Sequence, residues 1–152
     1  MDIFDIYEML DSKNDIVTQN EGISLAINTK DIEPYILPMF PRYNKNVWEN
    51  CAKILSTKTD EELTPYLAQL LGWLQDLNWP GTFIMMNRLK SFDGELLVKP
   101  YSKIVNMALK KEENNEWLDH LSKLLENEYL SKKMDVNLYN IMQERYANFW
   151  QI

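Results

Sequence analysis

Apolar residues recur at spacings of three and four along most of the chain. The clearest stripe lies between residues 63 and 74 and consists of Leu63, Tyr66, Leu67, Leu70, Leu71 and Leu74. This spacing places all six side chains on one face of an α-helix. Similar stripes predict helices over about residues 45–56, 80–91, 115–128 and 135–150. The pattern therefore predicts an all-α protein.

Helix start and stop signals divide these stripes. Thr59 and Glu62 have the spacing of a capping box, in which the two side chains satisfy each other's backbone amide. Pro65 repeats the start signal, since proline is favoured in the first turn of a helix. Asp93 and Gly94 are typical of a helix stop followed by a turn, so we expect the 80–91 helix to end there.

The N-terminal third is less regular. Residues 3–10 are rich in apolar side chains and predict a short helix that docks on the main body. Residues 11–30 predict a loop or a short helix. Ile23–Ile27 alternates as a strand would, but no second strand is available to pair with it. The chain is short enough for one domain, with about six or seven helices joined by short loops.

A short internal repeat supports a particular helical architecture. Leu63–Tyr66 recurs as Val98–Tyr101, 35 positions later, and Leu70 aligns with Val105 at the same offset. A period in the mid-thirties with two helices per unit is typical of helical solenoids. The repeat predicts a HEAT-like stack of antiparallel helical hairpins.

Composition and charge exclude several classes of function. Four glycines in 152 residues disfavour a turn-rich β fold and a glycine loop that cradles phosphate. A formal charge of −7 repels the backbone of a nucleic acid. The acidic N-terminus, the absence of a long apolar run and the lone Cys51 predict a cytoplasmic protein that does not bind a membrane.

The residue types needed for catalysis are scarce. His120 is the only histidine, and no second histidine or cysteine lies near it in sequence. Cys51 lies on the apolar face of the predicted 45–56 helix, as a small buried hydrophobic residue would. We therefore predict no catalytic residue, no metal site and no cofactor.

The most distinctive segment is Trp73–Gly81, in which two tryptophans precede a Pro-Gly pair. It predicts a tight polar corner between two helices. Asp76 and Asn78 can satisfy the free backbone groups of these helices, with Trp79 wedged into the core. The alternative is a partner-binding surface formed by Trp73, Asp76, Asn78 and Trp79, since tryptophan is enriched at interface hot spots. Trp48, Glu49 and Arg42 are further candidates, and the sequence leaves both interpretations open.

Three segments carry a resemblance to a known family: Pro41–Asn44, Trp48–Leu55 and Trp73–Gly81. They resemble small bacterial proteins described as a domain of unknown function and marked by a W-L-Q-D-x-N-W-P core, over about residues 35–125. Residues 1–34 and the last helix fall outside this likeness and form an extension and a tail. The resemblance implies HEAT-type helical units and no particular activity. Some members resemble immunity proteins of bacterial toxin systems, which would make the partner a basic toxin.

The first hypothesis is therefore a non-catalytic module that binds another protein, as an immunity protein does. An acidic helical stack offers a continuous face and speeds association with a basic partner. The second is a HEAT-like enzyme that acts on nucleic acid, which would need a basic groove. The third is a structural subunit that assembles with copies of itself.

Overall fold

A computed structural model describes residues 2–36 and 45–151, and these residues confirm the all-α class. Within them the chain forms α-helices and 3-10 turns and no strand. The eleven α-helices are α1 (Ile3–Leu10), α2 (Ile16–Ile27), α3 (Glu33–Ile36), α4 (Trp48–Ser56), α5 (Asp60–Leu63), α6 (Leu67–Gly72), α7 (Thr82–Lys90), α8 (Gly94–Ala108), α9 (Asn115–Leu121), α10 (Glu128–Lys133) and α11 (Val136–Trp150).

The helices outnumber the six or seven predicted because several apolar stripes are divided between α and 3-10 segments. The stripe at 63–74 covers α5, a 3-10 turn over Thr64–Tyr66, α6 and a second 3-10 turn over Trp73–Gln75. The Thr59 capping box is confirmed, with the Thr59 hydroxyl accepting from the Glu62 amide at 3.1 Å. Pro65 has no amide hydrogen to continue the ladder from α5, so the chain tightens there before α6 begins.

The prediction that Asp93 and Gly94 end a helix is wrong, because they begin one. A carboxylate oxygen of Asp93 accepts from the Glu95 amide at 2.9 Å, and α8 runs for 15 residues from Gly94. A Cβ at Gly94 would lie 2.6 Å from the Cβ of Tyr129. Glycine is needed here for the close approach of Tyr129 to the start of α8, which packs against α10, rather than for a turn.

The helix predicted over 115–128 is not a single α-helix, because α9 ends at Leu121 and gives way to a 3-10 segment that Asn127 ends. Asn127 adopts an extended backbone after a 3-10 segment over Ser122–Glu126. Its side-chain oxygen accepts from the Leu130 amide at 3.1 Å, and its side-chain nitrogen donates to the Phe92 carbonyl at 2.8 Å. Both ends of this buried amide are satisfied, so the break is stable and α10 begins there.

The N-terminal helices dock on α4, as the sequence predicted for residues 3–10. Residues 11–30, predicted as a loop or a short helix, contain the 12-residue helix α2. The buried Asn50 of α4 donates to the Leu10 carbonyl at 2.7 Å and to the Gln19 side-chain oxygen at 3.0 Å. One side chain therefore ties α1 and α2 to the rest of the molecule.

The buried side chains form one continuous core that extends from Ile6 to Met142. Helix α4 packs on α2, α3 and α7, while α8 packs on α6 and α10. The two copies of the sequence repeat adopt different structures, since Pro65 lies in a 3-10 turn and Pro100 lies inside α8. The HEAT-like stack therefore stays a prediction. No helix among the described residues is long and apolar enough to cross a membrane.

Glu126 forms one of the polar contacts between the C-terminal helix α11 and the body. This carboxylate accepts from Tyr146 of α11 at 2.7 Å and pairs with Lys123 at 2.7 Å and Lys90 at 3.1 Å. Partial burial raises the pKa of Glu126, but the bonds from Lys123, Tyr146 and Lys90 outweigh it and lower the pKa to about 2. The charged form is thus favoured by the folded state.

Replacing Glu126 by glutamine is expected to lower the free energy of unfolding at neutral pH by about 1 kcal/mol or less, because the cluster is solvent-screened. A depressed pKa stabilises the fold above the ordinary value of 4.5, and this stabilisation is lost as the pH falls toward 2. The free energies of unfolding of the native protein and of Glu126→Gln, measured by urea titration across this pH range, should therefore become equal in acid. The Glu144→Gln variant on α11 is the control, and a difference that persists unchanged at low pH would contradict the assignment.

Candidate functional site

The corner, residues 73–81, is built around the backbone of Asp76. The 3-10 turn Trp73–Gln75 ends at Asp76, whose backbone is extended. The Asp76 carboxylate accepts from the Asn78 amide at 2.8 Å, and the Asp76 carbonyl accepts from the Trp79 amide at 3.2 Å. Asp76 thus organises the turn itself and does not cap the amides of the following helix. The side chain of Asn78 is exposed.

Thr82, which sequence analysis missed, closes the corner. Its buried hydroxyl lies 3.1 Å from the Trp73 carbonyl and 3.0 Å from the Asp76 carbonyl. Gln75 donates to the Gly72 carbonyl at 2.9 Å and so satisfies a backbone group at the end of the first helix. The sequence does show a threonine at the start of the next helix. It does not show that the hydroxyl of this threonine forms a hydrogen bond with a carbonyl nine residues earlier in the chain.

Gly81 sets the direction in which α7 leaves the corner. Its φ of +85° is left-handed, a conformation that glycine adopts without steric cost. A Cβ at this position would lie 2.8 Å from the Cβ of Ala52 and 3.0 Å from the Trp48 carbonyl. The corner therefore packs directly against the backbone of α4.

Three tryptophans meet at this contact. The Trp48 ring lies 5.4 Å from the Trp79 ring and 6.4 Å from the Trp73 ring, with interplanar angles of 84° and 81°. Such edge-to-face arrangements are favoured by the charge distribution of the rings. Trp73 and Trp48 are almost fully buried, and Trp79 is half-buried. Trp73 also donates from Nε1 to the Pro80 carbonyl at 3.2 Å.

Helix α9 holds the other side of the corner. Trp117 donates from Nε1 to the Leu71 carbonyl at 3.0 Å, and His120 Nδ1 lies 2.6 Å from the Leu74 carbonyl. A carbonyl can only accept, so Nδ1 carries a proton. The buried His120 thus satisfies a backbone group at the end of a helix, with the Phe149 ring 5.6 Å away.

Four of the five tryptophans line one open groove of about 420 Å³, here called the tryptophan groove. This volume lies within the range of roughly 300–1,000 Å³ found for ligand sites. The lining is apolar except for two glutamines, and consists of Ile36, Trp48, Ala68, Gln69, Gly72, Trp73, Gln75, Trp79, Ile104, Met107 and Trp117.

The structure brings together three of the predicted site residues and separates the others. Trp48, Trp73 and Trp79 line the tryptophan groove, and the binding of a partner there stays a prediction. Asp76 and Asn78 belong to the turn beside it, and Glu49 is exposed next to Trp48. Arg42 lies outside the described residues. Trp117 was missed because its apolar spacing assigned it to the core.

One cation of the chain lies against the rings of the groove. The Lys45 ammonium lies 5.5 Å from the centre of the Trp48 ring and 5.9 Å from that of Trp79. Glu49, Asp76, Glu116 and the exposed Lys103 each adjoin a groove-lining residue in sequence. None of these four forms an ion pair with another residue of the segments 2–36 and 45–151.

The groups that could support other chemistry are placed differently. Cys51 is buried, and its burial raises the pKa of the thiol to about 12, so it stays protonated at neutral pH. In the described part of the chain, no three histidine, cysteine, aspartate or glutamate side chains gather as a metal site would require. What the groove offers chemically is aromatic and amide surface.

Comparison with known proteins identifies one family. A family model described as "Domain of unknown function (DUF5071)" matches residues 44–147. This region starts and ends later than the range of 35–125 expected from the resemblance, and it includes α4 to α10 and most of α11. No curated protein and no solved structure matches the chain.

Proposed function

The chain belongs to the family described as "Domain of unknown function (DUF5071)", and since that description states no activity, we propose a function from the groove itself. The protein is a non-catalytic module that binds a segment of another protein in the tryptophan groove. Residues of α4, α6, α8, α9 and the corner form the contact surface.

The observation that carries this proposal is the gathering of four tryptophans at one open surface. The half-buried indoles of Trp79 and Trp117 face this groove instead of being enclosed in the core. Tryptophan is the residue most enriched at binding hot spots, where it fills well-packed pockets near the centre of an interface. The exposed Met107, on the same groove, adds an adaptable apolar contact.

The partner that we propose is a basic protein. The chain carries a net charge of −7, which attracts a positively charged molecule and speeds its association. A toxin neutralised by an immunity protein is a partner of this kind, and the family resemblance suggests it. The tryptophan groove provides the apolar anchor, while the net negative charge of the chain favours a basic partner over an acidic one.

Replacing Ala68 by arginine tests the proposal, because Ala68 is exposed on α6 and lines the groove. A long side chain there obstructs the groove without removing any core contact. We expect the tagged native protein to retain one stoichiometric basic protein from the lysate of its own cells. The Ala68→Arg variant should retain at least tenfold less, since blocking an anchor site costs on the order of 1.4 kcal/mol or more.

The matched control is Ala147→Arg, which makes the same change at an exposed position of α11 away from the groove. It should capture the partner as the native protein does. Equal capture by all three proteins, or capture of no protein by any of them, would contradict the proposed function. If the native protein captures a second copy of this chain and the Ala68→Arg variant does not, the result would instead support the self-assembling role.

A further inference from the structure

Resting on the proposed function, we propose that Thr82 and His120 are positioning residues of the tryptophan groove. Neither side chain lines the groove. Each donates to a backbone carbonyl behind it and thereby fixes an indole that does line it, Trp73 in the first case and Trp117 in the second. The groove therefore has its binding shape before a partner arrives.

Four consecutive carbonyls behind the groove each accept a hydrogen bond from a different side chain. They belong to residues 71–74, where α6 passes into the 3-10 turn. Carbonyls at the end of a helix lack part of their intrahelical partners, so other donors satisfy them. The four donors, in the order of the carbonyls, are Trp117, Gln75, Thr82 and His120. These donors come from α9, the 3-10 turn and α7, so one short segment joins three elements around the groove.

Helix α9 is attached to this segment at two points in the same register. Trp117 donates to the Leu71 carbonyl at 3.0 Å and His120 to the Leu74 carbonyl at 2.6 Å, and each pair is separated by 46 positions. Residues three apart in a helix lie on the same face, so both rings of α9 meet the same segment. With His120 as the second attachment, α9 cannot pivot about the Trp117 bond. His120 thus keeps the Trp117 indole at the groove.

Thr82 has the same role for Trp73. Its fully buried hydroxyl lies 3.1 Å from the Trp73 carbonyl and 3.0 Å from the Asp76 carbonyl. The Trp73 ring in turn donates from Nε1 to the Pro80 carbonyl at 3.2 Å. The backbone of Trp73 is therefore held by the first residue of α7, and its ring is held by the corner.

A groove that already has its shape binds a partner with a smaller loss of conformational freedom. Each side chain that becomes ordered only on binding lowers the affinity. Because both indoles are fixed in the free protein, Thr82 and His120 contribute to affinity without touching the partner.

The test compares, at each position, a variant that keeps the donor with one that lacks it. Thr82→Ser keeps the hydroxyl, and Thr82→Val keeps the branched shape without it. His120→Asn keeps an N–H group on the side-chain carbon that carries Nδ1, and His120→Leu keeps only apolar volume. Both changes at His120 remove the ring contact with Phe149, so the difference between them isolates the hydrogen bond.

The measurement is hydrogen exchange of the indole Nε1–H groups in free protein labelled with ¹⁵N-tryptophan, since exchange reports how often a hydrogen-bonded group opens. Exchange at Trp73 should be about five- to tenfold faster in Thr82→Val, as loss of one buried hydrogen bond predicts. Exchange at Trp117 should accelerate by about the same factor in His120→Leu. Thr82→Ser and His120→Asn should stay within about twofold of the native rates, because the donor is retained.

Asn127→Ala is the control for a general loss of stability. Asn127 is also buried and bonds to the Phe92 carbonyl and the Leu130 amide, and none of these three residues lines the groove. Its replacement should destabilise the protein without accelerating exchange at Trp73 and Trp117 as the donor-lacking variants do. Equal acceleration in Asn127→Ala, or in the variants that keep the donor, would overturn the positioning role.

The exchange experiment needs no partner, so its outcome is independent of the function on which the inference rests. Native exchange rates in Thr82→Val and His120→Leu would overturn the positioning role, while the capture by Ala68→Arg and Ala147→Arg still tests the proposed function. Faster exchange with equal capture by those two variants would support the positioning role and contradict the function. Faster exchange and weaker capture in Thr82→Val, both restored in Thr82→Ser, would support both.

Discussion

Replacing Gly81 by alanine is expected to lower the free energy of unfolding by about 2–5 kcal/mol. The φ of +85° is left-handed, and forcing a side chain into that region costs roughly 1–2 kcal/mol. The new Cβ would also lie 2.8 Å from the Cβ of Ala52 and 3.0 Å from the Trp48 carbonyl. Relieving such overpacking costs a further 1–3 kcal/mol or so. Urea denaturation followed by circular dichroism measures the loss.

Gly72→Ala is the matched control for this prediction. Gly72 lies in α6 with no positive φ, and a Cβ there would meet only the Gln75 side chain at 3.4 Å. Alanine in a helix is favoured over glycine by about 0.5–1 kcal/mol, so this variant should be as stable as the native protein or more stable. Equal loss of stability in both variants would show that the corner does not depend on the conformation of Gly81.

Truncating Trp48 to alanine is expected to destabilise the protein by about 3–5 kcal/mol. The side chain is 4% exposed and is in edge-to-face contact with both Trp73 and Trp79. Its removal leaves a cavity between α4 and the corner, and it also removes two aromatic contacts worth roughly 0.5–1.5 kcal/mol each.

The comparison for Trp48→Ala is Phe83→Ala on α7. Phe83 is also aromatic, but it is 52% exposed, and its truncation should cost no more than about 1 kcal/mol. If the denaturant midpoints shift while the slopes of the unfolding curves stay unchanged, both losses are changes in the stability of the folded state. A Trp48→Ala protein within 1 kcal/mol of the native protein would contradict the wedge-like packing of the corner on α4.

Local sequence signals predicted the fold class and several helix ends correctly. The stripe from Leu63 to Leu74 and the Thr59 capping box depend only on residues a few positions apart, so they can be read from the chain. Asp93–Gly94 and Asn127 were misassigned because distant contacts decide them. Gly94 is required by Tyr129, and Asn127 is satisfied by Phe92.

The candidate site was predicted only in part, because local signals reveal some of its residues and distant contacts bring in the others. Trp73 and Trp79 lie in one distinctive segment, and Trp48 belongs to a second segment of the family resemblance. Trp117 belongs to α9, and its bond to Leu71 joins residues 46 positions apart. Periodicity cannot tell a ring that faces the core from one that lines a groove between helices, because both occupy the same stripe. Only the packing of α8 and α9 on α6 and the corner distinguishes them.

The perpendicular pair of Trp48 and Trp79 also has a spectroscopic consequence. Two indoles whose centres are 5.4 Å apart at 84° couple their electronic transitions, and such coupling produces a pair of circular dichroism bands of opposite sign. These bands overlap the helical signal and depend on the angle between the rings. A ligand that rotates Trp79 would therefore alter the apparent helicity without unfolding a single turn, and the protein carries its own optical reporter of groove occupancy.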